Sequence, residues 1–366
     1  MDKIRVGILC GGRSEEHQVS LQSVKNILDA INKSRYDVVL IGIDRVGQWH
    51  LADPKDFLLN ADNPKEISLN YLNDPILFSP GSSSKQWMQS ETSQLTEKID
   101  VIFPVLHGPY GEDGTVQGLL KLINLPFVGS GVLGSAISMD KDVMKRLLRE
   151  AGVAIPDFMT FTTSNRYQIN YNTISDRLHM PCFIKPANLG SSVGITKAYN
   201  VNDFEAGVDK AFQYDRKILI EEYIRGREIE CAVLGTTPPE ASGLGEIRLT
   251  EDFYSYEAKY IKDSEVSLEI PASLPPKITN DIRATAVKVH EILECEMMSR
   301  VDFFLRENGD FLVNELNTIP GFTQISMFPK LWQAAGVAYG DLIDKLLQLA
   351  LKRFEEDQLI NRWLVQ

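Results

Sequence analysis

The sequence predicts a mixed fold, in which a parallel α/β domain is followed by an α+β region with antiparallel strands. In the N-terminal part, apolar runs of strand length alternate with segments whose apolar residues recur at helical spacing, which is the pattern of β–loop–α–β units. From about residue 182 onward, short apolar runs follow one another between turn residues, which is typical of antiparallel pairing. The length of 366 residues suits two or three domains.

The N-terminal α/β prediction depends on two strand-like runs and the helix between them. Ile4–Cys10 and Tyr36–Ile43 are apolar runs, and apolar residues at i, i+3, i+4 and i+7 from Val24 define one face of a helix. Asp100–Leu106 is a further apolar run, and Val116 opens another helical repeat. We therefore predict that strands and helices alternate here and that the strands are parallel.

The remaining elements are predicted from the same two patterns, and residues 52–99 carry no motif that indicates a function. A helix is predicted at Asp140–Ala151 and ends at Gly152, a residue type common at helix ends. The later predicted strands are Cys182–Lys185, Val193–Thr196, Lys217–Glu221, Ile229–Leu234, Gly243–Leu249, Arg300–Leu305 and Phe311–Glu315. The later predicted helices are Asn202–Phe212, Lys277–Leu293, Ser326–Ala335 and Tyr339–Phe354.

Composition excludes several classes of function. The chain has 38 Lys and Arg against 50 Asp and Glu, a net charge of −12, which makes it a poor binder of nucleic acid. Its apolar runs are too short to span a membrane, and the N-terminus leads into a strand without a signal peptide, so a cytoplasmic protein is predicted. The four cysteines are far apart and suit reduced thiols better than a zinc site.

Two predicted neighbouring strands carry acidic residues at alternating positions. Strand alternation places Arg300 and Asp302 on one face, and Glu315 and Asn317 on one face of the next strand. Two carboxylates and an amide oxygen are hard donors that suit Mg²⁺ shared with phosphates. The alternative is an edge hairpin whose acids are solvated.

A small-residue loop follows the predicted strand that ends at Lys185. The segment Phe183–Gly194 combines this lysine with Gly190, Ser191 and Ser192, whose backbone N–H groups and hydroxyls could bind phosphate oxygens. The segment is not a Walker A motif, which needs GxxxxGK[ST] before a helix. An ordinary β-turn remains the alternative.

Three further segments place polar residues where a ligand could bind. Glu221–Ile224, before Arg225–Glu228, could offer backbone groups to a base and a carboxylate to a ribose, or could be a charged linker. Ser14 and Glu16 lie where the first strand meets the first helix, a place where parallel α/β sheets bind ligands, and they could cap the helix or hold an ammonium group. His107 follows another strand on a glycine-rich loop and should face the same crevice, whereas GxGxxG is absent and argues against NAD.

Together these motifs resemble the D-alanine–D-alanine ligases of the ATP-grasp superfamily, in the order and spacing of that family. The resemblance runs from residue 4 to about residue 350. The matching segments are GGRSEEHQVSLQS, VLHGPYGEDGTVQG, MDKDVMKRLL, FIKPANLGSSVGI, IEEYIRGREIECAVLG, YEAKY, RVDFF and NELNTIPGFTQISMFPKL.

The resemblance implies a fold and a reaction. A Rossmann-like domain at 1–130 would precede an ATP-grasp fold made of a central subdomain at 131–222 and a C-terminal subdomain at 223–366. Two D-alanines and ATP would give D-alanyl-D-alanine, ADP and phosphate through an acyl phosphate, for peptidoglycan precursor synthesis. A cytoplasmic homodimer that binds no nucleic acid and no membrane is the expected form.

The resemblance also implies roles for individual residues. Two Mg²⁺ or Mn²⁺ ions would be held by Asp302, Glu315 and Asn317. ATP would be bound by Lys141, Lys185, Ser192, Glu221, Glu222, Tyr223, Ile224, Glu228 and Lys259. The catalytic group would comprise Glu16, Ser191, Tyr260, Arg300, Gly321 and Ser326. The D-alanines would be bound by Glu16, His107, Arg300, Gly321, Ser326 and Met327.

Two residues depart from the family pattern, and three other functions compete with the expected one. Gln18 stands where many relatives have an acid, and Met327 where others often carry leucine. A D-alanine–D-lactate ligase is disfavoured by Tyr260, and a catalytically dead nucleotide-binding module is disfavoured because all three predicted metal ligands are present. Another ATP-grasp carboxylate–amine ligase is disfavoured by the GGxSxEH and EAKY segments.

Overall fold

The N-terminal sheet confirms the predicted parallel α/β opening. The computed structural model describes residues 3–61, 63, 66–71, 75–80, 87–89, 98–249 and 266–361. The strands of the first sheet are β1 (Ile4–Gly11), β2 (Tyr36–Ile43), β3 (Trp49–Ala52) and β8 (Val101–Pro104). Their order is β3-β2-β1-β8; β1 is parallel to β2 and β8, while β3 runs antiparallel to β2.

The described residues of the N-terminal part of the chain also contain four helices and two small hairpins. The helices are α1 (His17–Ala30), α2 (Thr115–Leu122), α3 (Val132–Met139) and α4 (Lys141–Glu150). The segment without a motif contains β4 (Leu58–Leu59) paired with β5 (Ser68–Leu69), and β6 (Ile76–Phe78) paired with β7 (Trp87–Gln89). Asp140 caps α4 by accepting hydrogen bonds from the N–H groups of Asp142 and Val143.

The second sheet is antiparallel, in the order β11-β10-β12-β9. Its strands are β9 (Phe158–Thr162), β10 (Cys182–Pro186), β11 (Thr196–Ala198) and β12 (Lys217–Glu222), flanked by α5 (Tyr171–Leu178) and α6 (Val201–Tyr214). The strand predicted at Val193–Thr196 is wrong in its first three residues. Ser191, Ser192 and Gly194 have positive φ angles, so the chain is still turning there and joins the sheet only at Thr196.

The third sheet is also antiparallel, in the order β15-β14-β13-β16-β17. Its strands are β13 (Arg227–Leu234), β14 (Glu240–Leu249), β15 (Val266–Glu269), β16 (Met298–Leu305) and β17 (Phe311–Asn317). The accompanying helices are α7 (Pro276–Ile292), α8 (Met327–Ala334) and α9 (Tyr339–Asn361). The predicted α+β region is therefore confirmed.

The hydrophobic core joins the first sheet to the third. Apolar residues of α7 pack with β13, β14, β16 and β17 in one cluster, whereas α8 and α9 share a second cluster with β1, β2 and β8. Within the described ranges, no helix has the length and hydrophobicity needed to cross a bilayer. Among the described residues, one of the three larger sheets lies in each of the three predicted domains, whose boundaries stay predictions.

Candidate active site

A cavity of about 640 Å³ opens between the second sheet and the third sheet. Its walls come from β10 and the loop after it, from residues 221–228, and from β14, β16 and β17. Most of the residues predicted to bind ATP line it, namely Lys141, Lys185, Ser192, Glu221, Glu222, Tyr223, Ile224 and Glu228. The remaining one, Lys259, lies outside the described residues.

Apolar side chains line the same cavity from both sheets. Phe183 and Ile195 contribute from the second sheet, and Ile247 and Phe304 from the third. Two apolar walls can enclose a flat aromatic ring, as ligand pockets commonly do. No role was predicted for these side chains, although Phe183 lies two positions before Lys185 and so shares its face of the strand.

A buried network of two lysines and one glutamate forms part of the cavity. Glu221 is 1% exposed, and its carboxylate oxygens lie 2.7 Å from Nζ of Lys185 and 2.8 Å from Nζ of Lys145. Burial alone would raise the pKa of Glu221, but the two lysines outweigh it and lower the pKa. The carboxylate is thus occupied by lysines, so a ligand in the cavity would meet the backbone of Glu221 and not its side chain. Lys145 was not predicted as a site residue.

The loop after β10 is fixed at both ends of its small-residue segment. Nζ of Lys141 donates to the backbone oxygen of Leu189 at 2.6 Å, and the hydroxyl of Ser191 donates to the carboxylate of Glu16. Ser191 and Ser192 have φ angles of +50° and +61°, a conformation that costs energy for residues other than glycine and is often found at functional sites. The loop is therefore held against the end of β1.

Two roles were predicted for Glu16, capping helix α1 or holding an ammonium group, and its contacts distinguish between them. Glu16 occupies the N-cap position of α1 but makes no side-chain capping hydrogen bond. Its carboxylate instead binds Ser191, as the resemblance implies, while Tyr260, the third member of that group, lies outside the described residues. The side chain of Glu16 thus faces the crevice and does not cap the helix.

Arg300 and the predicted metal ligands form one cluster at the start of β16 and the end of β17. Asp302 binds Arg300 through two contacts of 2.7 Å, and Glu230 lies 2.9 Å from Nε of the same arginine. Nδ2 of Asn317 donates to Asp302 at 3.1 Å. Burial acts against the charge of Arg300, but these acids together raise its pKa well above the ordinary value. Arg300 is therefore a fixed cation.

Asp302, Glu315 and Asn317 supply too few oxygen ligands to bind Mg²⁺ alone. Oxygens of a bound phosphate would have to complete the coordination. Asp302 and Glu315 are direct cross-strand partners, and a register shift follows Asp302. Oε2 of Glu315 lies 3.6 Å from Nζ of Lys141 at the cavity wall. In the part of the chain that the structure describes, no three His, Cys, Asp or Glu side chains form a metal-binding group. Two carboxylates and an amide oxygen nevertheless have the donor chemistry of Mg²⁺.

His107 is buried at the crevice where β1 and β8 end. Its Nδ1 lies 3.0 Å from the backbone oxygen of Ile319 and must donate, because a carbonyl oxygen only accepts. Burial lowers the pKa of His107, so the ring is neutral and Nε2 is an acceptor. Nε2 has no hydrogen-bond partner among the described residues. Glu16 and Arg300 are both close enough to influence this pKa.

The loop between β17 and α8 brings the last predicted residues to the same place. A Cβ on Gly321 would lie 3.0 Å from Oγ of Ser326, so a side chain there would press on that hydroxyl. Oγ of Ser326 accepts a hydrogen bond from the N–H of Thr323 at 3.1 Å. Met327 is buried and packs on Gly245, where an added Cβ would lie 2.4 Å from Sδ.

Comparison with protein families and curated proteins gives a consistent match over nearly the whole chain. The family described as D-ala D-ala ligase N-terminus matches residues 5–130, and the family described as D-ala D-ala ligase C-terminus matches residues 147–348. The D-alanine–D-alanine ligase of Shouchella clausii (strain KSM-K16) is 52% identical over 361 residues, covering 99% of this chain and 98% of the relative. D-alanine–D-alanine ligase A of Escherichia coli (strain K12) is 51% identical over 361 residues and covers 99% of both chains.

Comparison with solved structures also gives ligases that match nearly the whole chain. The D-alanine–D-alanine ligase from Coxiella burnetii superposes with a TM-score of 0.85 at 37% identity and covers 99% of this chain and 98% of its own. The VanG D-Ala:D-Ser ligase from Enterococcus faecalis has a TM-score of 0.83 at 35% identity, with 95% and 100% covered. The D-alanine–D-alanine ligase from Bacillus anthracis complexed with ATP has a TM-score of 0.73 at 28% identity, with 98% and 100% covered.

Proposed function

Because the chain belongs to the D-alanine–D-alanine ligase family, we propose that it uses ATP to join two D-alanines into D-alanyl-D-alanine. The carboxylate of the first D-alanine attacks the γ-phosphate and forms an acyl phosphate with release of ADP. The amine of the second D-alanine then attacks the activated carbonyl carbon, and phosphate leaves. The single observation that best supports the assignment of residues is the contact between Ser191 and Glu16, because it joins the proposed phosphate loop to the residue proposed to bind the amino acid.

ATP is placed in the cavity between the second and third sheets. A volume of about 640 Å³ suits a nucleotide-sized ligand. The base lies between the apolar walls formed by Phe183 and Ile247, next to the backbone of residues 221–224. The carboxylate of Glu228, at the start of β13, is the candidate for the ribose hydroxyls.

The phosphates are placed where three positive or donating groups meet. Lys141 and Lys185 supply cations, and the backbone and hydroxyl of Ser192 supply donors. Asp302, Glu315 and Asn317 are the proposed ligands of two Mg²⁺ or Mn²⁺ ions, which would neutralise the phosphate charges during transfer. Closure of the loop over these groups would exclude water, since an exposed acyl phosphate would be hydrolysed.

The first D-alanine is placed against Glu16. Its ammonium group binds the Glu16 carboxylate, and the neutral Nε2 of His107 can accept a hydrogen bond from the same ligand. As the amine attacks, negative charge develops on the former carbonyl oxygen. Arg300 and the N–H of Gly321 are the proposed donors to that oxygen, and Asp302 fixes Arg300 before the reaction.

The second D-alanine is placed at the start of α8. Ser326 holds its carboxylate, with Met327 packed behind, and Tyr260 completes the group with Ser191. The acceptor is assigned as D-alanine because the relatives at about 50% identity carry that name, whereas the D-Ala:D-Ser ligase is more distant at 35%. A cytoplasmic homodimer that supplies peptidoglycan precursors is the proposed setting.

One assay tests this function. The protein is incubated with ATP, Mg²⁺ and a single amino acid, and phosphate release and product identity are measured. We expect phosphate and D-alanyl-D-alanine in equal amounts with D-alanine, and no product with L-alanine. Competition with D-serine and D-lactate should leave D-alanyl-D-alanine as the main product. If D-alanyl-D-serine or an ester were the main product, D-alanine would not be the preferred second substrate. ATP binding without turnover would contradict the assignment as an enzyme.

A further inference from the structure

The backbone of Ile319 is held on both sides by side chains of the loop that follows β8. Its N–H donates to Oε1 of Glu112 at 3.0 Å, and its C=O accepts from Nδ1 of His107 at 3.0 Å. The second oxygen of Glu112, Oε2, accepts from the N–H of Gly108 at 2.7 Å, within its own loop. Ile319 follows the last strand of the third sheet, so these bonds fasten that sheet to the N-terminal one.

Ile319 lies two residues before Gly321, whose N–H is a proposed donor to the oxyanion. Pro320, between them, has a restricted φ angle and transmits the position of one residue to the next. On the other side, Phe322 is 1% exposed and packs edge-on against Phe103 of β8, with ring centroids 5.7 Å apart. The N–H of Gly321 is therefore set by two anchored neighbours.

We propose that Glu112 is a positioning residue, which holds Ile319 so that the N–H of Gly321 is aimed at the reacting carbonyl oxygen. The inference rests on the proposed function, because an oxyanion forms at this place only if an amino acid is activated there. Glu112 acts through the backbone of Ile319 and need not touch the substrate. His107 and Phe322 share the task but reach the loop at other points.

Only an acid side chain offers one oxygen to each of the two N–H groups that converge on Glu112. Each of its oxygens takes one donor, whereas glutamine has one acceptor oxygen and would turn an NH₂ group toward the other N–H. The carboxylate is costly at this position: burial and the nearby Glu16 raise its pKa to about 8, although the two N–H donors and Arg300 act in the opposite direction. At neutral pH the group is therefore largely protonated, and each of its two oxygens can still accept one N–H.

The test compares Glu112→Gln with Asp113→Asn in the next residue of the loop. Asp113 also accepts two backbone hydrogen bonds, from Tyr110 at 2.9 Å and Thr115 at 3.0 Å, but none from Ile319. We expect Glu112→Gln to lower kcat roughly 10- to 100-fold while the KM for ATP stays within about twofold. Asp113→Asn should keep kcat within about threefold of the wild type.

Hydrogen exchange supplies a readout of the contact itself. In the wild type the amide of Ile319 should be protected, and in Glu112→Gln it should exchange at least roughly tenfold faster while amides of β16 keep their protection. If Glu112→Gln does not fold, Glu112→Asp takes its place. Its shorter side chain keeps the acid group but reaches only one of the two N–H groups, and the same loss of kcat is expected.

Three outcomes would overturn the inference. They are wild-type kcat in Glu112→Gln or Glu112→Asp, an equal loss in Asp113→Asn, and rapid exchange of the Ile319 amide in the wild type. Failure of the wild type to form a dipeptide would instead remove the proposed function. Dipeptide formation by the wild type together with an unaffected Glu112→Gln would remove the positioning role alone.

Discussion

At the scale of single residues, the site is built from charges that are paired with one another. Glu221 is shared by Lys145 and Lys185, and Arg300 is shared by Asp302 and Glu230. Buried pairs of this kind add little net stability, because the cost of removing the ions from water offsets their attraction. Their effect is geometric, since each pair fixes an ionic group where a charged ligand will meet it.

Glu315→Gln tests the proposed metal ligands. The substitution keeps the shape of the side chain and removes its charge, so kcat should fall by about two orders of magnitude or more while the fold is retained. Glu307→Gln, an exposed position in the turn of the same hairpin, is the control. The measurement is kcat over a series of Mg²⁺ concentrations together with the unfolding temperature. Near-wild-type activity with an unchanged Mg²⁺ dependence would contradict the assignment.

His290 should make the protein less stable in acid. The side chain is 1% exposed, its Nδ1 lies 2.7 Å from Oγ of Ser299, and burial lowers its pKa to about 4. Between pH 6.5 and 4 the unfolded chain therefore binds a proton that the folded chain does not. The free energy of unfolding should fall over this range by up to about 3 kcal/mol through this group.

The variant His290→Gln checks this pH dependence. It should flatten that part of the stability curve in urea titrations from pH 7 to 4, because glutamine does not titrate. His179→Gln, at an exposed position, should leave the slope unchanged. An identical slope in the wild type and in His290→Gln would show that other groups carry the acid sensitivity.

At the scale of elements, two short irregular segments place the functional side chains. The register shift after Asp302 leaves Asn314 as an extra residue in β17 and bends that strand beside the cluster of acids. The loop after β10 turns through Ser191 and Ser192 and closes on Glu16. Both irregularities interrupt regular strands, and both lie where a ligand is placed, as is common for strained backbone.

The loop prediction is tested by Gly190→Ala. A Cβ on Gly190 would lie 3.2 Å from Oε2 of Glu16, so the loop and the carboxylate must move apart by a few tenths of an ångström. We expect kcat/KM for D-alanine to fall roughly 3- to 10-fold, with less dipeptide formed per ATP consumed. Gly243→Ala, where an added Cβ meets nothing within 4 Å, is the control. Unchanged coupling between ATP use and dipeptide would refute the idea that this loop protects the acyl phosphate.

The elements that could be predicted from sequence are those whose pattern is local. α1 and α7 show apolar residues at helical spacing, and β2 has the bounds that were predicted. Several elements were not predicted, among them α3, β9 and α5. The segment FMTFT of β9 does not alternate apolar and polar residues, so its state as a strand is decided by pairing with β12.

The site residues also divide into those that could be predicted from the sequence and those that could not. Motif residues of the cavity could be assigned through the family resemblance, since each lies in a recognisable segment. Lys145 and Glu112 also lie in matching segments, but nothing local distinguishes a lysine that will pair with Glu221, or a glutamate that will bind the backbone of Ile319. The partners of Lys145 and Glu112 are distant in sequence. They meet only in the folded chain, so the local pattern around each residue does not indicate them.

At the scale of the whole molecule, helix α9 fastens the C-terminal half of the chain to the first sheet. Arg353 lies 4.5 Å above the ring of Phe127, donates to the backbone oxygens of Phe127 and Gly129, and pairs with Glu296 at 2.8 Å. The side chain is 14% exposed. One arginine thereby satisfies several acceptors from segments that are distant in sequence.

Arg353→Met should loosen this junction. The substitution keeps much of the apolar stem but leaves two carbonyls and a carboxylate without their donor, so the free energy of unfolding should fall by about 2–4 kcal/mol. Lys352→Met, at the exposed neighbouring position, should change it by less than about 0.5 kcal/mol. Urea unfolding followed by tryptophan fluorescence makes the comparison. Equal stabilities of the two variants would show that α9 is held by its apolar contacts alone.

The contact between Ser191 and Glu16 has a consequence for how the two substrates affect each other. Glu16 is the proposed seat of the amino acid, and Ser191 belongs to the loop proposed to receive the nucleotide. A ligand that orders the loop around Ser191 also orients the carboxylate of Glu16. In turn, a ligand that binds this carboxylate also favours the ordered loop. Nucleotide and D-alanine should therefore bind with positive cooperativity, and linkage requires each to strengthen the affinity for the other by the same factor.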